Sequence, residues 1–598
     1  MRSAPPWHSA PSFPQRSADR GLPSCALARR EHTAGQYTAG QYTVGLLIAV
    51  TIGVWTAFST RAVAQTASAT AAAGGKDAPA AQPLRPLGWH AYASRYIDPP
   101  VWHFEPVKGG VEYRAELRAS AYRADRRNSV NQVYHVASTT PELSLDAVWK
   151  EILAGPVTAS IAAVDNAGAT LAANTLLFHK ARPFDGTIPP WRYPIPEMVD
   201  GLAAYLINLR SPNAVEPDRS PQLWHAIIFE NGTVSPLGYP THNAYTIEFF
   251  IDYAKWTKNA DLARRGLALA RELADFNIKY RTPADWKLPN VFYTTAVQGK
   301  MGGDKDRDAL IVTLTGLMGR SLLRLGLDQN EPQYVRAAVD TARCLLATQL
   351  PEGNWPFRVE PKTGRIDNAY TSSVILPVLL FDELICAPAT AFDGMEAASL
   401  RESLKAARAR AMRWLIEGPL RDYRWEGFCE DVADMPPYVA TQWYDAAWTA
   451  KYLIEHRDEF PDQFQAALKV LDWIEDQFVC WHAVDVPYME SPNPVVPVVM
   501  EQYRCYRPVE CCNAWLFDAY LAAHKATGKD LYLQQSRALA AALTHFRRPS
   551  GAFATWCFYT SPGRPKDAGD WFSCMVYDAH MMIRHEAVLH KDGGQKGQ

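Results

Sequence analysis

From Pro194 onward the apolar residues recur with the helical period, and the links between the helical stretches alternate between short and long. Stretches are predicted near 195–210, 243–257, 261–280, 307–326, 332–350, 370–385, 397–417, 440–456, 463–477, 508–527, 530–547 and 572–589. Short links fall near 258–260, 327–331, 386–396, 457–462 and 528–529, and long ones at 211–242, 281–306, 351–369, 418–439, 478–507 and 548–571. The clearest pair runs from Pro508 to Arg547. Its first helix carries Cys512, Trp515, Leu516, Ala519, Ala522, Ala523 and Ala526 on one face; Gly528 stops it and Asp530 opens the second. Helices joined so tightly are antiparallel neighbours. An alanine-rich pair cannot bury its own apolar faces, so it requires further pairs. Twelve helices in a ring, with every long link at one end, make the predicted fold mainly α: an (α/α)6 toroid of six hairpins over 185–590, with a tail at 591–598.

Ahead of the helices, Val111, Tyr113, Ala115 and Leu117 alternate with polar residues, as do Val157, Ala159, Ile161 and Ala163. Residues 89–184 are therefore expected to form a small β-sandwich, which resembles a fibronectin-III or immunoglobulin-like domain. Residues 65–88 are rich in Ala, Gly and Pro and read as a flexible linker. Val44 to Phe58 is apolar but short for a membrane span, and Ala62-Val63-Ala64 follows as a small-x-small cleavage signature. Residues 1–64 thus read as a signal peptide region, which makes the chain exported, periplasmic or secreted; an uncleaved N-terminal anchor is the alternative. A net charge of −2 argues against nucleic acid as the main partner. The 19 Trp and 27 Tyr fit a packed core plus a minority of rings that stack on sugars.

Long polar and aromatic loops gathered on a rigid scaffold are where binding and chemistry concentrate. Loop one ends at His242, Asn243 and Tyr245; loop two holds Tyr293; loop three holds Trp355, Arg358 and Asp367. Loop four offers Trp425, Glu426 and Glu430, and loop five Trp481, Glu501, Tyr503, Tyr506 and Arg507. Loop six offers Trp556, Asp570 and Trp571. The GNWPF run at Gly353–Phe357 looks like the hairpin ends of six-hairpin glycosidases and toroidal polysaccharide lyases. That resemblance implies an enzyme cleaving glycosidic bonds in a cleft on the long-loop face, without a stable membrane span. The run Asp567-Ala568-Gly569-Asp570 matches family-nine cellulases, but it stands at the wrong end of the chain. Glu510-Cys511-Cys512 looks like the zinc-ligand helix of β-L-arabinofuranosidases. The resemblance would give zinc to Glu510 and Cys512, but the second Cys-Cys pair is missing, so no cofactor is expected.

Hydrolysis needs two carboxyl groups across the bond. Asp367 and Glu501 are the leading candidates, with Glu430 and Asp570 behind them. β-Elimination from a uronate needs a Tyr or His base and a group that neutralises the carboxylate. His242, Tyr245 and Tyr503 supply the first, Asn243 and Arg507 the second. Trp355, Arg358, Trp425, Trp481, Tyr506, Trp556, Trp571 and Tyr293 complete the expected binding surface. The leading expectation is a hydrolase; a lyase and a non-catalytic glycan-binding protein remain open.

Overall fold

The structure, a computed structural model, describes residues 82–122, 129–209, 227–228, 237–297, 300–301, 310–392, 397–428, 435–486, 495–504, 506–555 and 570–589. The expected signal peptide region, Glu430, Trp556 and the C-terminal tail lie outside the described residues.

Twelve long helices build the ring: α1 Ile195–Asn208, α2 Asn243–Trp256, α3 Ala260–Lys279, α4 Leu314–Gln329, α5 Pro332–Thr348, α6 Ile375–Cys386, α7 Ala397–Glu417, α8 Tyr444–Glu455, α9 Phe464–Phe478, α10 Glu510–Thr527, α11 Asp530–Leu543 and α12 Phe572–Leu589. The even-numbered helices form a closed inner circle: α2 packs on α4, α4 on α6, α6 on α8, α8 on α10, α10 on α12, and α12 back on α2. Each odd-numbered helix lies outside an inner one, and α1 covers α12, so the first and last helices shut the circle. This is the (α/α)6 toroid.

Burial follows position. In outer α3 only a stripe through Gly266, Ala270, Leu273, Ala274, Phe276 and Asn277 is buried. In inner α10 every residue from Glu510 to Ala523 is buried, more than the single face read from its sequence. An inner helix touches two inner neighbours and an outer partner, so it keeps no solvent face. Gly528 closes α10 in the left-handed conformation, φ 70°, as expected. At Gly316 the α4 and α6 backbones meet: an added Cβ would lie 2.9 Å from Pro377 N.

Towards the C-terminal ends of the inner helices the ring is tied by ion pairs and hydrogen bonds. Arg324 Nη1 reaches Glu248 Oε2 at 3.0 Å, Arg320 Nε reaches Glu383 Oε1 at 2.7 Å, and His580 Nε2 lies 2.8 Å from Asp252 Oδ2. Lys451 and His585 hold Asp518 at 2.8 and 2.7 Å. Burial opposes the Glu248 charge, but Arg320 and Arg324 outweigh it and keep the carboxyl at about 2.

The region before the ring is sheet-rich. Antiparallel strands β4 Glu112–Tyr122, β5 Ser129–Ser138, β7 Gly155–Val164 and β8 Thr170–Lys180 form its body in the order β8-β7-β4-β5. Two short strands, β1 Gln82–Pro83 and β2 Arg95–Tyr96, pair in parallel with β8. Tyr113, Ala115, Leu117, Val157, Ala159, Ile161 and Ala163 turn inwards, which bears the alternation out. The covering layer is smaller than a sandwich requires: a ribbon of β3 Val101–His103 with β6 Glu142–Ser144, and one helical turn ending at Trp149. The sheet also starts before residue 89. Gln82 and Pro83 pair with Ala172 and Ala173, and Leu84 is buried, so the end of the expected linker is a strand.

The sheet region seats on α9 and the chain after it. Asp476 accepts hydrogen bonds from the Ile97 and Asp98 amides at 2.6 and 2.7 Å. His179 Nε2 lies 3.0 Å from Asp485 Oδ1, and the fully buried Arg95 donates to Cys480 Sγ.

Candidate active site

Every long link runs from an outer helix to the next inner one, so six inner N-termini share one end of the ring. One turn in from that end, rings from four inner helices form a continuous arc. Tyr444 and Trp448 of α8 lie 4.3 and 5.7 Å from Trp515 of α10; Trp515 lies 5.4 Å from Tyr577 of α12, and Tyr577 5.6 Å from Tyr245 of α2. His242 and Tyr239 extend the arc on one side, with centroids 5.9 and 5.2 Å apart in sequence, and Phe428 extends it on the other, 5.3 Å from Tyr444. Rings packed edge to face in this way hold one another in place.

Buried carboxyls surround the arc. Asp445, in the first turn of α8, is fully buried, and its Oδ2 accepts from Ser372 and Ser373 hydroxyls, each at 2.8 Å. Its Oδ1 has no partner among the described residues. Burial outweighs the two serines and pushes this carboxyl up to about 7. Glu501 is buried just before α10, and its amide donates to Arg507 O at 2.8 Å. It stands beside Cys512, whose thiol is pushed up by burial and then by the Glu501 charge; Cys512 Sγ is 3.9 Å from Tyr444 Oη. Glu510 of α10 and Asp578 of α12 are fully buried, and among the described residues none donates a hydrogen bond to any of their four carboxyl oxygens. Burial raises both far above the carboxylate range, and Cys574, Asp578 and Asp570 raise Glu510 further.

The sequence candidates divide. His242, Asn243 and Tyr245 stand together at the start of α2, all buried; the His242 ring nitrogens are unpartnered, and burial lowers the imidazole to about 4. Asp570 is near Glu510 but is neutralised by Arg548, whose Nε and Nη2 both donate to it, the latter at 2.8 Å. Trp571 adjoins it on a short strand, its amide donating to Thr555 Oγ1 at 2.6 Å.

Others lie elsewhere. Asp367 is on an outlying hairpin, paired with Arg365 at 3.0 Å. Tyr503 has its ring stacked 5.1 Å from Phe478 of outer helix α9, and burial raises its phenol well above the usual value. Tyr506 donates to Gln477 O, and Trp481 Nε1 donates to Glu475 Oε1 at 3.0 Å with its ring 4.6 Å from Phe184. These three rings belong to packing around α9, not to a sugar platform. Trp355 is core: its Nε1 donates to Leu345 O at 2.8 Å. Trp425 is fully buried and its carbonyl accepts from the Gln442 amide at 2.8 Å. Arg358 lies buried over the Phe357 ring, Tyr293 is half-buried, and Arg507 serves Glu501 through its backbone.

Asp445, Asp578 and the arc residues were missed as site residues. Their signal was the position just inside an inner helix, as in Trp443-Tyr444-Asp445, which composition hides among core aromatics. Among the described residues no group of three His, Cys, Asp or Glu side chains could hold a metal ion, and no helix is long and apolar enough to cross a membrane.

No family model matches the chain, and no curated protein matches it. Among solved structures it is similar to a family 76 glycoside hydrolase from a bovine Bacteroides thetaiotaomicron strain, at TM-score 0.43 and 7% identity over 82% of this chain and 98% of that one. It is similar to cellobiose 2-epimerase from Spirochaeta thermophila DSM 6192, at 0.45 and 12% over 66% and 97%. It is also similar to an unsaturated glucuronyl hydrolase specific for heparin, at 0.42 and 10% over 66% and 97%. Identities this low transfer no activity.

Proposed function

We propose that this chain is an exported carbohydrate-active enzyme that hydrolyses glycosidic bonds at the long-loop end of its ring, with Asp445 as general acid and Glu501 as the second carboxylate. The carrying observation is Asp445. A carboxyl raised to about 7 holds its proton up to near-neutral pH, where an ordinary aspartate is ionised, as an acid catalyst needs. Both serine hydroxyls lie beside Oδ2, so Oδ1, which has no partner among the described residues, is the oxygen that hands the proton to a leaving group. Glu501 serves as base or nucleophile on the other side of the bond. The aromatic arc supports a sugar as ligand, since ring faces stack on the apolar faces of pyranoses.

A second reading rests on His242. It is held neutral beside Tyr245 and Asn243, the residue types that remove and neutralise in β-elimination from a uronate. One experiment separates them: neutral and uronate polysaccharides are incubated with the protein while reducing ends and the ultraviolet absorbance of a C4–C5 double bond are followed together. Reducing ends without absorbance, lost in Asp445→Asn and Glu501→Gln, support hydrolysis. Both signals rising, and lost in His242→Ala, support the lyase. Retention on a glycan column with neither signal overturns the enzyme reading in favour of a binding protein.

A further inference from the structure

Ser372 and Ser373 each have one hydroxyl hydrogen and two acceptors within reach. Ser372 Oγ lies 2.8 Å from Asp445 Oδ2 and 2.9 Å from Glu426 O. Ser373 Oγ lies 2.8 Å from the same Oδ2 and 3.2 Å from Gly427 O. A hydroxyl donates to one acceptor at a time, so the state of Asp445 decides which. When the carboxylate is charged, both hydroxyls turn to Oδ2, because a charged acceptor gives the stronger bond. When Asp445 is protonated, its need for donors falls and both hydroxyls are free for the two carbonyls.

Those carbonyls belong to loop four, which carries Glu426 and, in the arc, Phe428. The loop is pressed onto the segment before α6: Gly427 has φ +80°, and a Cβ there would lie 2.9 Å from Tyr370 O. Among the described residues it is also held by Thr371 Oγ1, which donates to Gly427 O, and by Tyr370 Oη, which donates to Arg424 O at 2.7 Å. Ser372 N donates to Glu426 O at 2.7 Å, Gln442 N to Trp425 O at 2.8 Å, and Tyr438 N to Glu426 Oε1 at 2.5 Å.

We propose that Ser372 and Ser373 are positioning residues that couple the proton on Asp445 to the seating of the Trp425–Phe428 loop. With the proton on Asp445 the hydroxyls grip Glu426 O and Gly427 O, and the loop is seated while the acid is armed. After the proton has left, the hydroxyls swing to Oδ2 and the loop is released on the side where product departs. The groups facing Asp445 are Ser372 and Ser373 before α6, and Gln442 before α8, whose Nε2 is 3.5 Å from Oδ2. Charged groups on the neighbouring segments are Glu426, paired with Arg424 at 2.9 Å, and Glu501, which acts on Cys512 beside Tyr444. The proposal rests on Asp445 being the acid for its catalytic meaning, but the coupling itself is measurable without any substrate.

The test is hydrogen exchange of the full chain from pH 5.5 to 8.5, corrected for intrinsic rates, read on the amides of Ser372, Tyr438 and Gln442. In the wild type, protection is expected to fall about fivefold across the Asp445 titration, the loss of roughly one net hydrogen bond. Ser372→Ala/Ser373→Ala should stay at the low value at every pH, and Asp445→Asn at the high one. Ser372→Thr/Ser373→Thr, which restores both hydroxyls, should restore the pH step. If the double alanine does not fold, Ser373→Ala alone should lower the step. A flat wild-type profile, or a step that survives in the alanine variants, overturns the proposal. A step that is present in a chain without hydrolase activity keeps the coupling and removes the enzymatic reading.

Discussion

Asp445 and Glu248 lie in the same ring and are shifted in opposite directions, Asp445 to about 7 by burial and Glu248 to about 2 because Arg320 and Arg324 outweigh burial. Glu475 and Asp476, around α9, are also pushed up to about 7, chiefly by burial. A carboxyl raised on folding binds its proton more tightly in the folded chain, so its stabilisation is present below the unfolded value of about 4 and is lost as pH rises to about 7. Glu248 contributes the reverse: stability present above about 4 that is lost as pH falls towards 2. The melting temperature is therefore expected to peak near pH 4 and to fall between about pH 4 and 7; a rise over that range in a differential scanning experiment would remove the buried acids from the argument. In the active site, Asp445→Asn should reduce kcat by about 10²–10⁴-fold, the usual worth of a general acid, while Asp367→Asn should leave it within about twofold. In the sequence these two aspartates differed only in that Asp445 falls just inside an inner helix. Asp367 stood beside aromatics ahead of a helix, the pattern sought; only the ring shows that it faces Arg365 on a hairpin and that Asp445 faces inwards.

Among the elements, the helices were readable and their packing partners were not. Period and link length come from local chain chemistry, so all twelve helices lie where the apolar spacing put them. The starts of α4 and α6 fall some residues later than the pattern suggested, because Leu310 and Ile311 pair as a strand with Val359 and Arg358 ahead of α4, and Thr371 to Ser373 bond to loop four ahead of α6. Tyr503, Tyr506 and Trp481 looked like cleft residues because a loop sequence does not say which side of the ring its rings will face. Two substitutions test the elements. Gly316→Ala forces a methyl into Pro377 where α4 and α6 touch, and should destabilise by about 1–3 kcal/mol in denaturant titration. Arg548→Met strands a buried Asp570 charge at the start of α12, and should cost about 3–5 kcal/mol; the paired change with Asp570→Asn should recover part of it.

At the scale of the whole molecule, the sheet region and the ring meet through polar groups that each need the other. Asp476→Ala leaves the Ile97 and Asp98 amides without their acceptor and should destabilise by about 1–3 kcal/mol, with exchange at those amides rising while α4 stays protected. Uniform loss of protection would mean that the two parts unfold as one. This seam was invisible in the sequence, where Asp476 and Arg95 lie in different domains and belong to no motif. The closing of the circle by α1 and α12 has a consequence for biosynthesis. Helix α1 leaves the ribosome long before α12 exists, and at about 5–20 residues per second the gap is on the order of a minute or less. Through that interval the apolar face of α1 formed by Met198, Val199, Leu202 and Leu206 waits for its partner. A nascent chain of this kind is a client for holding chaperones until its last helix arrives.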